Sequence, residues 1–158
     1  MSRVQLALRV ADLEGSVAFY SKLFGVEPAK RRPGYANFAI AEPPLKLVLL
    51  EGAEGEETRM DHLGVEVEDA AQVTAATERL KRAGLATFEE NDTTCCYGLQ
   101  DKVWVHGPGR EPWEVYVVKA DADVLAKEAD SVCCANDDAA DQTVTAGETV
   151  TAAKDTCC

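Results

Sequence analysis

The sequence predicts an α+β fold in which two tandem βαβββ modules build one curved mixed sheet, a cup, followed by a disordered acidic C-terminal tail. Three observations lead there. A strand-then-helix pattern occurs twice, with Gln5-Leu6-Ala7-Leu8-Arg9-Val10 aligning with His62-Leu63-Gly64-Val65-Glu66-Val67. A strongly apolar strand closes each copy, over residues 44–51 and 112–119. From residue 120 onward there is no aromatic side chain, and 9 acidic residues face 2 basic ones, too little apolar surface to offset the entropy of ordering.

In chain order, the first strand carries Leu6, Leu8 and Val10 on one face, a period of two. Asp12 is suited to cap a helix, and Leu13, Val17, Tyr20 and Phe24 form an amphipathic face that stops at Gly25. Two short strands fit into residues 27–32 and 35–42, and the apolar strand 44–51 completes a first module of about 3–51. The second module, about 60–119, restarts with Leu63, Val65 and Val67 on one face. Asp69 then caps a helix bearing Val73, Ala76, Leu80 and Ala83 up to Gly84. Strands are expected over 86–91 and 99–106, with residues 91–98 between them read as a loop, before the closing strand 112–119. Residues 1–119 thus form one domain and 120–158 a flexible tail, in which residues 121–130 have the composition for a short helix. The repeat is compatible with modules pairing within one chain or across two copies, so the oligomeric state stays open.

Sixteen Lys and Arg against 28 Asp and Glu give a net charge of -12. Such a surface repels phosphate backbones and anionic membrane faces, so neither nucleic acid nor membrane is expected as a partner. The N-terminal residues run directly into the first strand, and no apolar stretch approaches the roughly 20 residues that span a bilayer. A cytoplasmic location is the expectation.

Strand parity locates a site. The apolar face of each first strand should pack on its own helix, so Gln5 and His62, on the opposite face, line the concave side. Aligning the closing strands places Lys46 and Glu114 at equivalent positions on that side. Gln5, His62 and Glu114 offer an amide, an imidazole and a carboxylate to a metal, whereas a protonated Lys46 offers nothing. Each has an ordinary explanation as well: His62 as a satisfied strand residue, Glu114 as the partner of Lys46 in a salt bridge, Gln5 as a cross-strand hydrogen-bonding residue. The repeat-related placement favours the shared site. His106, before a turn, reads as surface, the Lys30-Arg31-Arg32 cluster as a solvated edge, and Trp104 and Trp113 as core or pocket wall. Tyr35, Phe38, Tyr97 and Tyr116 are candidates to line the cup.

All six cysteines fall in adjacent pairs: Cys95-Cys96, Cys133-Cys134 and Cys157-Cys158. Neighbours in sequence close a disulfide with poor geometry, so in a reducing compartment they stay dithiols suited to soft metals. Incidental thiols would not be expected always to come in twos.

With these residues in view, the chain resembles the vicinal oxygen chelate superfamily of glyoxalase I, bleomycin and fosfomycin resistance proteins and extradiol dioxygenases, over about residues 3–119. Within it, Asn91-Asp92-Thr93-Thr94-Cys95-Cys96-Tyr97, together with Val4-Gln5-Leu6-Ala7-Leu8 and Asp61-His62-Leu63-Gly64, is similar to the organoarsenical carbon-arsenic lyases. The resemblance implies a non-haem Fe(II)-dependent dioxygenase, with O2 as co-substrate, that cleaves trivalent organoarsenicals such as methylarsenite, and also aromatic ones, to arsenite. It implies Gln5, His62 and Glu114 as metal ligands, and Cys95 and Cys96 as the catalytic, substrate-binding thiols. A loop holding Cys95-Cys96, with Thr93, Thr94 and Gly98 beside it, would swing the captured arsenic toward the metal. Cys133, Cys134, Cys157 and Cys158 are read as accessory thiols that scavenge arsenicals or take up product. Two other readings stand beside this one: a protein that sequesters soft metals or arsenite, for which the cysteine pairs suffice, and another glyoxalase- or dioxygenase-type metalloenzyme, which has no use for Cys95-Cys96.

Overall fold

The computed structural model describes residues 2–125. Its elements run β1 (Arg3–Val10), α1 (Leu13–Phe24), β2 (Lys30–Arg32), β3 (Tyr35–Ile40), β4 (Leu45–Glu51), β5 (Arg59–Glu66), α2 (Ala70–Arg82), β6 (Thr87–Cys95), β7 (Gly98–His106) and β8 (Pro112–Asp121). This is βαβββ twice. The eight strands form one sheet in the order β2-β3-β4-β1-β5-β8-β7-β6, so the modules meet edge to edge through the antiparallel pair β1 and β5 within one chain.

Local chemistry sets the helices as their sequences lead one to expect. Asp12 accepts a hydrogen bond from Gly15 N and Asp69 one from Gln72 N, capping α1 and α2, and Gly25 ends α1 in the left-handed conformation at φ 67°. Leu6, Leu8 and Val10 pack with Leu13, Val17, Phe38, Leu47 and Leu49 beneath α1. Val67, Val73, Leu80, Val103, Val115 and Val117 form the smaller core beneath α2. Both helices therefore cover one face of the sheet, and the other face is left as the cup.

The cup has its own apolar floor of Ala7, Tyr35, Val48, Leu50 and Tyr97, with Cys96 and Leu125 packed against it. The modules also touch away from the β1 and β5 pair. Lys30 Nζ donates to Tyr97 O at 3.1 Å and also to Asp121, and Tyr97 Oη donates to Pro33 O at 3.0 Å.

Three expectations need correction. Residues 91–98 are not a loop: β6 continues to Cys95 and β7 starts at Gly98, paired with Cys95, leaving Cys96-Tyr97 as a two-residue hairpin turn. The last strand runs to Asp121, and the chain stays attached beyond it, with Cys96 N and Tyr97 N donating to Leu125 O and Val124 O. Residues 122–125 are therefore not helical; the rest of the helix suggested over 121–130 lies outside the described residues, as do Cys133, Cys134, Cys157 and Cys158. Among the described residues no helix is long and apolar enough to cross a membrane.

Candidate metal and thiol site

The site is assembled by two neighbouring rows of the sheet. Gln5, Gly64 and Glu114 lie side by side on β1, β5 and β8, and His62 lies opposite Ala7 in the next row along the concave face. Gly64 permits this closeness, since a Cβ there would stand 3.1 Å from Glu114 Cγ and 3.3 Å from Gln5 Cβ. As a result Gln5 Nε2 sits 2.9 Å from His62 Nε2 and 2.7 Å from Glu114 Oε1, with His62 Nε2 and Glu114 Oε1 3.3 Å apart. All three residues are buried, between 2 and 5% exposed.

Each of the three is held by a further side chain. Asp61 Oδ1 lies 2.7 Å from His62 Nδ1, and Arg9 Nε reaches Asp61 Oδ2 at 2.7 Å. In the tautomer whose Nδ1–H donates to Asp61, the lone pair of Nε2 faces the site. Burial works against ionisation of Asp61, but the hydrogen bond from His62 and the Arg9 guanidinium hold its pKa below the ordinary value. Lys102 Nζ donates to Glu114 Oε2 at 2.7 Å. Burial alone would push the Glu114 carboxyl up, yet the adjacent Lys102 ammonium keeps it far below the usual carboxylate range, so it is ionised. Tyr116 donates its hydroxyl proton to Gln5 Oε1 and has a second acceptor, Glu66 Oε2, at 3.4 Å. Burial raises the pKa of both Tyr35 and Tyr116, which keeps these hydroxyls protonated.

The thiols come from the hairpin. Cys96 and Tyr97 both adopt positive φ, 52° and 59°, the backbone of a type I′ turn that Asn-Gly usually supplies. Two non-glycine residues there cost about 1–2 kcal/mol each, opposed by the contacts of Tyr97 with Lys30, Pro33 and Val124. The turn brings Cys95 Sγ and Cys96 Sγ to 3.1 Å, Cys95 buried and Cys96 half-buried. Both line the same cavity as Gln5, His62 and Glu114, with Tyr35, Gln100 and Lys102 also in its wall. The five site residues anticipated from the sequence thus share one cavity, and no swinging loop is needed to turn the sulfurs inward.

The alignment of Lys46 with Glu114 does not hold. Ala7 and Gly64 both stand five residues before their helix-capping Asp, and their neighbours across the parallel ladders are Val48 and Glu114. Val48 is therefore the counterpart of Glu114, and Lys46 lies two residues off on the same face, which a period of two cannot distinguish. Nor does Lys46 pair with Glu114; it lies 3.5 Å from Glu66 Oε2, and burial lowers its pKa. Asp61, Gln100 and Lys102 were not anticipated as site residues, whereas Tyr116, a candidate to line the cup, reaches the site through its hydrogen bond to Gln5. Alternation would turn Asp61 to the face opposite His62, but the β1–β5 register slips between Ala7 and Leu8, so that Asp61 is an extra residue in β5. Of the aromatic candidates, Tyr35 lines the cavity, Tyr97 packs on it at 5.5 Å between ring centroids, and Phe38 belongs to the core under α1. Trp104 is fully buried behind the site rather than in the cavity lining, its ring edge-on to His62 at 5.4 Å. His106 is exposed at the end of β7, and Arg31 and Arg32 are exposed on the edge strand β2.

Among the described residues no three His, Cys, Asp or Glu side chains form a metal cluster; the third donor here is an amide. The set of Gln5, His62 and Glu114 nevertheless fits a divalent ion. Two adjacent ligands of an octahedral ion bound at 2.0–2.1 Å stand about 3 Å apart; His62 Nε2 and Glu114 Oε1 are 3.3 Å apart, and the end of the Gln5 amide, here its nitrogen, lies 2.9 and 2.7 Å from them. One imidazole, one carboxylate and one further oxygen donor on a single face is an N/O set suited to a first-row metal with open positions.

A curled eight-stranded sheet built from paired βαβββ modules, with a mixed-donor cluster in its hollow, defines the class. Residues 3–115 match the family described as the Glyoxalase/Bleomycin resistance protein/Dioxygenase superfamily, and the chain belongs to it. Within that superfamily the chain is 77% identical over 134 residues to the "Trivalent organoarsenical cleaving enzyme" of Thermomonospora curvata, covering 85% of this chain and 89% of the relative. It is 63% identical over 125 residues to the "Cadmium-induced protein CadI" of Mycobacterium tuberculosis, covering 79% and 82%. Among solved structures, the Mn(II)-bound glyoxalase from Novosphingobium aromaticivorans shares the fold, with a TM-score of 0.55 and 22% identity over 77% of this chain and 42% of that one.

Proposed function

We propose that this protein cleaves the carbon-arsenic bond of trivalent organoarsenicals such as methylarsenite and releases arsenite, using Fe(II) held by Gln5, His62 and Glu114 and O2 as co-substrate. The observation that carries the proposal is the cavity shared by two adjacent thiols and a three-donor cluster. The name of the Thermomonospora curvata relative supports the substrate class.

The thiols suit the substrate. Trivalent arsenic is soft and thiophilic, and a monoalkyl arsenical has two exchangeable oxygens, so two sulfurs from neighbouring residues match its denticity. A bound Fe(II) with open positions would supply O2 activation beside the captured arsenical. The chain's part is positioning, a contribution of several kcal/mol where reacting groups are held at the right separation. Cys95 and Cys96 fix the arsenic. Asp61 fixes the His62 ring and tautomer, and Lys102 keeps Glu114 ionised.

Gln5 must present its amide oxygen to a cation, whereas its nitrogen now faces His62 and Glu114. A half-turn of the amide exchanges the two ends. Tyr116 accommodates either orientation, since its hydroxyl can accept from Nε2 and pass its own proton to Glu66 Oε2.

The test is arsenite release from methylarsenite, which should require both Fe(II) and O2 and be abolished by Glu114→Ala. Sequestration of soft metals is the second reading, favoured by the close sulfurs and by the name of the Mycobacterium tuberculosis relative. It predicts binding that persists without O2 and no release of arsenite.

A further inference from the structure

Gln100 is 5% exposed and lines the cavity beside the thiols. Its two amide ends are used unequally. Nε2 donates to Cys95 O at 3.0 Å, which ties the side chain to the strand bearing the inner thiol. Oε1 is buried and has no hydrogen-bond partner among the described residues. A buried carbonyl oxygen left in this state, on a side chain that lines a cavity, is an acceptor awaiting a donor.

We infer that Gln100 is a substrate-recognition residue whose side-chain oxygen accepts a hydrogen bond from the As–OH group of a half-captured monosubstituted arsenical. The inference rests on the organoarsenical reading above. Capture proceeds by two exchanges without change of oxidation state. In the first, the thiol of Cys96, the more accessible of the pair, replaces one hydroxyl of RAs(OH)2: an As–S bond forms, an As–O bond breaks, and the thiol proton leaves with the hydroxide as water. The product, RAs(OH)(S-Cys96), keeps one As–OH. Donating its proton to Gln100 Oε1 orients this group beside Cys95 and makes its oxygen a better acceptor for the Cys95 thiol proton. The second exchange then forms the As–S bond to Cys95 and releases a second water. A disubstituted arsenical, R2AsOH, has no hydroxyl after the first exchange, so Gln100 has nothing to hold. The residue therefore favours substrates with two exchangeable oxygens.

The experiment follows As–S absorption in the near ultraviolet by rapid mixing, without O2, in the full chain. The signal is taken as the difference from the Cys95→Ser, Cys96→Ser double variant, which removes the contribution of the other thiols. With methylarsenite, Gln100→Met should slow the second phase about tenfold and leave the first within about twofold. With dimethylarsenite it should change nothing beyond twofold. Gln100→Glu, which keeps an acceptor but loses the donor to Cys95 O, should restore the second phase to within about threefold of the unaltered protein. Unchanged capture of methylarsenite by Gln100→Met overturns the inference, as does equal slowing with both arsenicals, or a Gln100→Glu variant as slow as Gln100→Met. Capture that obeys this pattern without any subsequent release of arsenite under Fe(II) and O2 defeats the lyase reading and leaves Gln100 in its role. No capture of methylarsenite by the unaltered protein removes both.

Discussion

Lys102 Nζ lies 2.7 Å from Glu114 Oε2 in a pair whose side chains are only 2% and 3% exposed. A buried pair of this kind adds little net stability compared with an apolar replacement, but loss of one partner leaves a costly charge. Lys102→Met should therefore destabilise the metal-free protein by about 3–5 kcal/mol. The double variant Lys102→Met, Glu114→Gln should recover most of that loss, and neither variant should bind metal as the unaltered protein does. Urea unfolding of the four proteins of the cycle, at one pH, reads the coupling; additive losses would show that the two groups do not act as a pair.

Asp61 accepts a hydrogen bond from His62 Nδ1 and is itself held by Arg9. Removing a carboxylate that orients a ligating imidazole commonly costs 10- to 100-fold in metal affinity. Asp61→Ala should weaken Fe(II) or Co(II) binding by about that factor, measured by competition with a chelator, whereas Asp61→Asn, which keeps an acceptor, should lose less. Equal affinity in all three proteins would assign Asp61 to the Arg9 contact alone.

How far the sequence discloses this site follows from what a period of two can resolve. Parity is enough to put Gln5, His62 and Glu114 on the concave face, because each lies in an uninterrupted run of alternation. It does not resolve a two-residue shift, which is why Lys46 takes the place that belongs to Val48. It fails outright at Asp61, where an extra residue in β5 reverses alternation. The hairpin was hidden for another reason: Cys96-Tyr97 occupies a turn whose backbone normally calls for glycine or asparagine, and contacts distant in sequence, from Lys30, Pro33 and Val124, hold it there. Lys102 lies on a strand that reads as ordinary apolar alternation, and only the assembled sheet brings it to Glu114; Tyr116 is legible as a cup-facing aromatic, but its contact with Gln5 is not.

Acidity should act through Glu66. Burial alone would raise its carboxyl pKa, but the hydrogen bond from Arg3, at 2.8 Å, and the nearby Lys46 ammonium hold it below the ordinary value. A carboxyl with a depressed folded pKa contributes stability that is fully present above its unfolded value, about 4.3, and is lost as pH falls through the folded value. Stability should therefore change little from this source between pH 5 and about pH 7 and decline on further acidification. Glu66→Gln should lower stability at neutral pH by about 1–2 kcal/mol and make the acid limb shallower. Denaturant midpoints across the acid range are the measurement, and parallel acid limbs for the two proteins would contradict the assignment.

The thiol pair and the three-donor cluster are separate sets of groups in one cavity, so they should be separable by mutation. Cys95 and Cys96 hold their sulfurs 3.1 Å apart, and the polar ends of Gln5, His62 and Glu114 stand 2.7–3.3 Å from one another in the same cavity. Converting the pair to a single thiol removes the second, intramolecular attachment, whose effective concentration typically multiplies binding by about 10²–10⁴. Cys95→Ser and Cys96→Ser should each weaken retention of methylarsenite at this site by about that factor, and the double variant should add little further loss. All three should keep metal affinity within about threefold of the unaltered protein, since an N/O set needs no sulfur. Isothermal titration with Co(II), run beside an arsenical-retention assay in which the Cys95→Ser, Cys96→Ser variant serves as the blank for other thiols, measures the two properties independently. Loss of metal binding on removal of either cysteine would mean that sulfur belongs to the metal's own ligand set, and the division of labour between the hairpin and the strand rows would have to be abandoned.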